Sequence, residues 1–111
     1  MVFKQAALFD ILRQVAYSSL NASLTALGTP LSVNARIVRF TNTTDKDVYV
    51  STDGINNMLR IATGGFLLLD LETNRSATGD NLIPLGTQFY VAYVAAPSSG
   101  EFWIEVVYSN N

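Results

Sequence analysis

The side chains in this sequence most able to do chemistry are a few carboxylates and a group of aromatic rings. Glu101 and Glu105 stand four residues apart in a stretch that alternates like a β-strand, so both fall on one face. At a rise of ~3.3 Å per residue, their carboxylates would sit about 13 Å apart. A glycosidase pair works at roughly 5 to 9.5 Å, so these two read as a solvated strand face. Asp45, Asp47 and Asp53 crowd two turn-rich segments, where calcium could find oxygen ligands. Their spacing matches no calcium loop, and aspartate is common in turns because it accepts bonds from nearby backbone N–H groups. Tyr90, Tyr93, Trp103 and Tyr108 could stack on a sugar. Parity, however, puts Tyr90 and Tyr93 on opposite faces, and likewise Trp103 and Tyr108. Packing within the domain is the simpler use for these rings.

What is missing narrows the chemistry further. The chain has neither His nor Cys. Zinc sites of the usual kind need one or both, and a serine nucleophile needs a base that His most often supplies. Without Cys no disulfide can staple the fold, so packing and hydrogen bonds must hold it. Gly64-Gly65 lacks the Lys and helix of a phosphate loop. Asn21, Asn42 and Asn74 open glycosylation patterns that read as chance in a chain rich in Ser, Thr and Asn. No catalytic residue, cofactor or metal is expected.

Composition points to a body that packs against something. At 111 residues the chain is one domain, spanning 1–111. Hydrophobic residues make up 49% and charged residues only 14%, the latter well below the usual quarter. The surface must therefore be covered by neutral polar groups or hidden on a partner. Net charge is −2, and the seven basic residues are scattered singly, with no stripe to follow a nucleic-acid backbone. No apolar run approaches the roughly 20 residues that span a bilayer as a helix. Met1 to Asp10 carries one Lys and an acidic residue where a signal peptide would continue apolar, so secretion by that route is not expected.

From about residue 34 the sequence alternates short strands with turn signals every 8 to 12 residues. Strands are expected over 34–42, 48–52, 58–62, 66–71, 87–94 and 101–108, with a loop over 72–81. The apolar run Phe66 to Leu71 predicts a strand buried on both faces. In the last strand Phe102, Ile104, Val106 and Tyr108 face one side, while Trp103, Glu105 and Val107 face the other. The first third is less regular. Residues 6–15 could form an amphipathic helix, but the favoured reading is an extended arm over 1–10 followed by strand material. The whole predicts an all-β, antiparallel, jelly-roll-like β-sandwich with an extended N-terminal arm. An immunoglobulin-like sandwich ranks second, lacking the Cys-Trp-Cys spacing of that family.

Two segments resemble a known group. The run Ala35 to Gly54, Ala-Arg-Ile-Val-Arg-Phe-Thr-Asn-Thr-Thr-Asp-Lys-Asp-Val-Tyr-Val-Ser-Thr-Asp-Gly, is similar to stretches of small virion proteins of tailed phages. So is Leu85 to Tyr93, followed by Ala96-Pro-Ser-Ser-Gly100 and a closing strand that ends Val-Tyr. These are the decoration, cement or staple proteins that coat a capsid, those of epsilon15-like short-tailed phages among them. At Met58 to Ala62 this chain is more apolar than related sequences. The resemblance implies a jelly-roll protein made in the host cytoplasm that binds the outer surface of the phage head in the virion. Its partner would be the major capsid protein, whose neighbouring subunits it would bridge to stabilise the shell, with self-association as a homo-oligomer a further possibility. The apolar residues Phe3, Leu8 and Phe9 are the expected capsid contacts, unless they complete the core instead. A tail-associated or lectin-like adhesion module is the alternative function.

Overall fold

The structure, a computed structural model, describes residues 7–71 and 83–109. It is all-β, in two antiparallel sheets. The strands in chain order are β1 (Ala7–Phe9), β2 (Arg13–Ala16), β3 (Thr25–Ala26), β4 (Ala35–Asn42), β5 (Val48–Ser51), β6 (Leu59–Ile61), β7 (Phe66–Asp70), β8 (Tyr90–Tyr93) and β9 (Glu101–Ser109). The first sheet runs β1 and β2 end to end along β9, then β4, then β7. The second runs β3, β8, β5, β6. Pairing is nested: β5 with β6 is innermost, then β4 with β7, β3 with β8, and the β1–β2 edge with β9 outermost.

The alternation read from the sequence builds the core. Phe102, Ile104 and Val106 of β9 are buried, as are Val38 and Phe40 of β4 beside them. Val48 and Val50 of β5 and Val91 of β8 meet them from the second sheet. Phe40 and Phe89 pack edge to face, with centroids 5.7 Å apart and planes at 81°. Fully burying each such ring contributes about 1.5–3 kcal/mol by removal from water.

At one end of the sandwich, buried Asn42 ties the two sheets together. Its Nδ2 donates to the carbonyls of Lys46 (2.8 Å) and Ile61 (3.1 Å), and its Oδ1 accepts from Thr44 N at 3.0 Å. The Thr44 hydroxyl lies 2.6 Å from that same Oδ1. Nearby, Gly100 has φ +90°, and a Cβ there would lie 2.2 Å from the Thr43 carbonyl oxygen, so this turn admits glycine alone. The Gly100 carbonyl accepts from Tyr17 N, and Thr43 N donates to the Glu101 carbonyl, which draws three connections together.

Several expectations change, while the favoured strand reading of residues 13–16 stands. The apolar run over β7 is not buried on both faces. β7 is an edge strand, with Leu67 and Leu69 against the core while Phe66 and Leu68 stay 63% and 50% exposed. Ala7–Phe9 of the expected arm already belongs to a sheet, paired with 107–109 of β9, and residues 1–6, Phe3 included, lie outside the described residues. A helix over 6–15 does not form: residues 13–16 pair with β9, whose ladder satisfies backbone groups that a helix would have turned inward. The strand expected over 87–94 is shorter, 90–93, and the loop expected over 72–81 lies outside the described residues.

Candidate functional site

The three turn aspartates are engaged by hydrogen bonds within the chain. Asp45 accepts from Ser98 N at 2.8 Å and from the Ser98 hydroxyl, and that side-chain bond, first among its causes, holds its carboxyl below the usual range. Asp47 accepts from Thr63 N (2.9 Å) and from Arg60 Nε (2.8 Å); the Thr63 N–H is the larger cause of its lowered pKa. Asp53 is lowered most, because the N–H groups of Asn56 and Ile55 point at its Oδ1 from 2.9 and 2.8 Å. Asp53 closes its own turn, whereas Asp45 and Asp47 tie theirs to distant segments. Among the described residues no group of three or more acidic side chains is placed to hold a metal ion. Asn42, which opened a glycosylation pattern, is buried and fully engaged.

Tyr93 turns inward opposite Val48 and packs on the core, while Tyr90 lies on the other side of the same strand. Trp103 lies on the outer side of β9, where its Nε1 donates to Glu105 Oε1 at 3.2 Å. Glu105 also faces Arg39 of β4, 3.9 Å away, and the Arg39 guanidinium stands 5.0 Å over the Phe66 ring of β7. The four rings do not assemble into one platform, as parity required.

Large apolar side chains gather instead on the outer face of the first sheet, around the Arg39–Glu105 pair. Cross-strand rows place Phe9 beside Val107 and Val107 beside Ile37. The next rows join Glu105, Arg39 and Leu68, then Gln14, Trp103, Thr41 and Phe66. Three large apolar side chains within strands stay exposed, Phe9, Phe66 and Leu68, and all three belong to this face. Phe9 is 80% exposed, whereas Leu8 beside it points inward opposite Tyr108 and is half-buried. Of the expected contacts, then, Phe9 is presented to solvent and Leu8 turns inward.

Sequence reading missed the neighbours of Phe9. Between Phe9 and Arg13 the edge strand has three residues, 10–12, where β9 has two, 105–106, so the edge bulges. The bulge leaves Ile11 82% exposed and Leu12 about half exposed. Leu12 stands between two shallow cavities of about 380 and 260 Å³, the first bordered by Gly28 and Thr29, the second by Phe9 and Val107. Buried Arg13 fixes this shape. Its Nη1 donates to Asp10 Oδ2 and to the Ile11 carbonyl, both at 3.1 Å, while Nε and Nη2 donate to the Thr29 carbonyl at 3.2 Å. Gly28, at φ +73°, leaves room for the arginine stem: a Cβ there would come 2.8 Å from Arg13 Cγ. The one available signal was an Asp-Ile-Leu-Arg run interrupting strand material, which the spacing did not decode.

No protein-family model, curated protein or solved structure matches this chain.

Proposed function

We propose that this chain is a decoration protein that binds the outer surface of a phage head and bridges neighbouring major capsid subunits. The observation that carries the reading is the gathering of Phe9, Phe66 and Leu68 on one outer sheet face. Half-buried Trp103, Val107 and Ile37 fill the face between them. Large apolar side chains gathered on one exposed face of a small domain are the usual mark of an interaction surface. Burying a Phe or Leu side chain completely is worth about 1.5–3 kcal/mol, so covering each half-exposed one returns on the order of 1 kcal/mol. Repeated over many copies on a shell, that gain opposes the outward pressure of packaged DNA.

Two further supports come from the chain itself. The segments from Ala35 to Gly54 and Leu85 to Gly100 resemble those of decoration proteins. The nested pairing also fits a jelly roll: counted with β1 and β2 as one interrupted strand, it gives eight strands in two four-stranded sheets.

The test is the copy number of the protein in purified virions of the phage that encodes it, by quantitative mass spectrometry against the major capsid protein. The expected ratio is of the order of one per capsid subunit. A handful of copies per particle would overturn shell bridging in favour of a tail-associated or lectin-like adhesion module, and none would remove the virion reading altogether.

A further inference from the structure

One dipeptide of this chain is chemically weak in its own backbone. Asp53-Gly54 is the single Asp-Gly pair of the sequence, and no Asn-Gly pair accompanies it. In such a pair the glycine nitrogen can attack the aspartyl side-chain carbonyl carbon, because glycine has no Cβ to hinder the approach. The new N–Cγ bond closes a succinimide ring, and the carboxyl hydroxyl leaves as water with the proton of the nitrogen. Hydrolysis of the ring takes that water back. Where it breaks the bond from the nitrogen to the main-chain carbonyl carbon, isoaspartate remains, with the main chain running through Cγ. The step uses no co-reactant and leaves the mass unchanged.

The fold holds both reacting groups in other bonds. Ser51, the last residue of β5, is fully buried beneath the turn. Its Oγ accepts from Gly54 N at 3.1 Å and from Asp53 N at 3.2 Å, so the attacking nitrogen has its proton engaged. The same hydroxyl donates to Asp53 Oδ1 at 2.8 Å. That oxygen also accepts from Ile55 N (2.8 Å) and Asn56 N (2.9 Å), while Oδ2 accepts from Asn56 Nδ2 at 2.9 Å. Ring closure needs the neutral acid, since a carboxylate has no hydroxyl to release. The N–H groups of Asn56 and Ile55, first among these donors, hold the carboxyl below its usual range and so ionised. The turn also demands the residue that makes the bond weak. Gly54 has φ +73°, and a Cβ there would lie 3.1 Å from the Tyr90 ring.

We propose that Asp53-Gly54 is an isoaspartate-forming site kept shut by the Ser51 hydroxyl, so that the native chain isomerises only as fast as the turn at 51–56 opens. Opening must free the Gly54 nitrogen from Ser51 and swing the Asp53 carboxyl away from Ile55 and Asn56. The product cannot restore the turn. Isoaspartate adds a methylene to the main chain and moves the carboxylate away from the N–H groups that it accepted from. Each isomerised copy therefore records one past opening of the β5–β6 connection, whatever partner the rest of the molecule binds.

Prolonged incubation of the purified full chain at neutral pH tests this. Isoaspartate at residue 53 is read by peptide mapping, since a protease that cuts before aspartate does not cut before isoaspartate. The native chain should isomerise roughly tenfold or more slowly than the same chain unfolded in guanidinium chloride, because only the open fraction reacts. Ser51→Ala should raise the native rate severalfold, and hydrogen exchange of the Gly54 amide should quicken with it. Equal native and unfolded rates would overturn the proposal. So would a folded Ser51→Ala chain that isomerises no faster than wild type. Where Ser51→Ala fails to fold, wild type in rising sub-denaturing guanidinium chloride decides the matter. Isomerisation at residue 53 and exchange at Gly54 should then climb together, and an isomerisation rate that stays flat while exchange climbs sinks the idea.

Discussion

The loop end around Asn42 and the outer face of the first sheet use their side chains in opposite ways. Around Asn42, polar groups close on one another: the buried amide on two carbonyls and, nearer the surface, Asp45 on Ser98 and Asp47 on Thr63 and Arg60. On the outer face, Phe9, Phe66 and Leu68 turn outward and stay largely exposed among the described residues. A buried polar group is costly when left unsatisfied, so Asn42 and Thr44 at the centre of the first region bear on stability. An exposed apolar side chain bears little on stability, so the second region is free to serve a partner. The two regions should separate cleanly on mutation.

The largest effect is expected at Asn42. Asn42→Leu keeps the volume but strands the carbonyls of Lys46 and Ile61 and the Thr44 N–H. We expect a loss of about 3 kcal/mol, from desolvated groups left unpaired. For a domain of this size that lowers the thermal midpoint by more than ten degrees, by the usual ~4 °C or more per kcal/mol. Differential scanning calorimetry would show it, and an unchanged midpoint would refute the assignment of Asn42 as the tie between sheets.

Phe9→Asp should do the reverse. Its ring is 80% exposed, so stability should move by no more than about 0.5 kcal/mol. Binding to capsid shells stripped of the protein should weaken roughly tenfold or more, a change of about 1.4 kcal/mol. Equal binding by wild type and variant in a co-sedimentation assay would take Phe9 out of the interface.

The smallest effect concerns acid. Asp45, Asp47 and Asp53 all have folded pKa values lowered below 3.8 by hydrogen bonds that they accept. Groups lowered in this way contribute stability that is present above the unfolded pKa and is lost as pH falls through the folded values. The thermal midpoint should therefore hold down to about pH 5 and decline below it. Asp53→Asn, at the most strongly lowered group, should flatten the decline. An identical acid slope in the variant would show that the Asp53 turn carries none of it.

Much of this was legible in the sequence, and the rest was hidden for definite reasons. The strands over 35–42, 48–51, 59–61 and 101–109 announce themselves by branched and aromatic residues between turn signals, and β9 even declares its inner face. Phe66 to Leu69 misled because period-two reading assigns faces without saying what covers them. Four apolar residues in a row look the same whether the outer pair is buried by this chain or held for another. Arg13 was illegible in a different sense. Its partner is a backbone carbonyl sixteen residues away, and no property of side-chain sequence encodes a carbonyl's position. The candidate face was therefore half visible, through Phe9, while the bulge that shapes its margin was not.

The nested pairing sets an order of events as well as a shape. β9 is the last strand to emerge during synthesis, yet it is the strand between the β1–β2 edge and β4 in the first sheet. Until Glu101–Ser109 has left the ribosome, β4 is paired only with β7 on one side, and β1 and β2 lack the strand they pair with. Such distant pairings make for slow folding, because long loops must close before the contacts that reward them can form. The chain thus spends its nascent life with one side of β4 open, and losing β9 would cut the first sheet between its two halves.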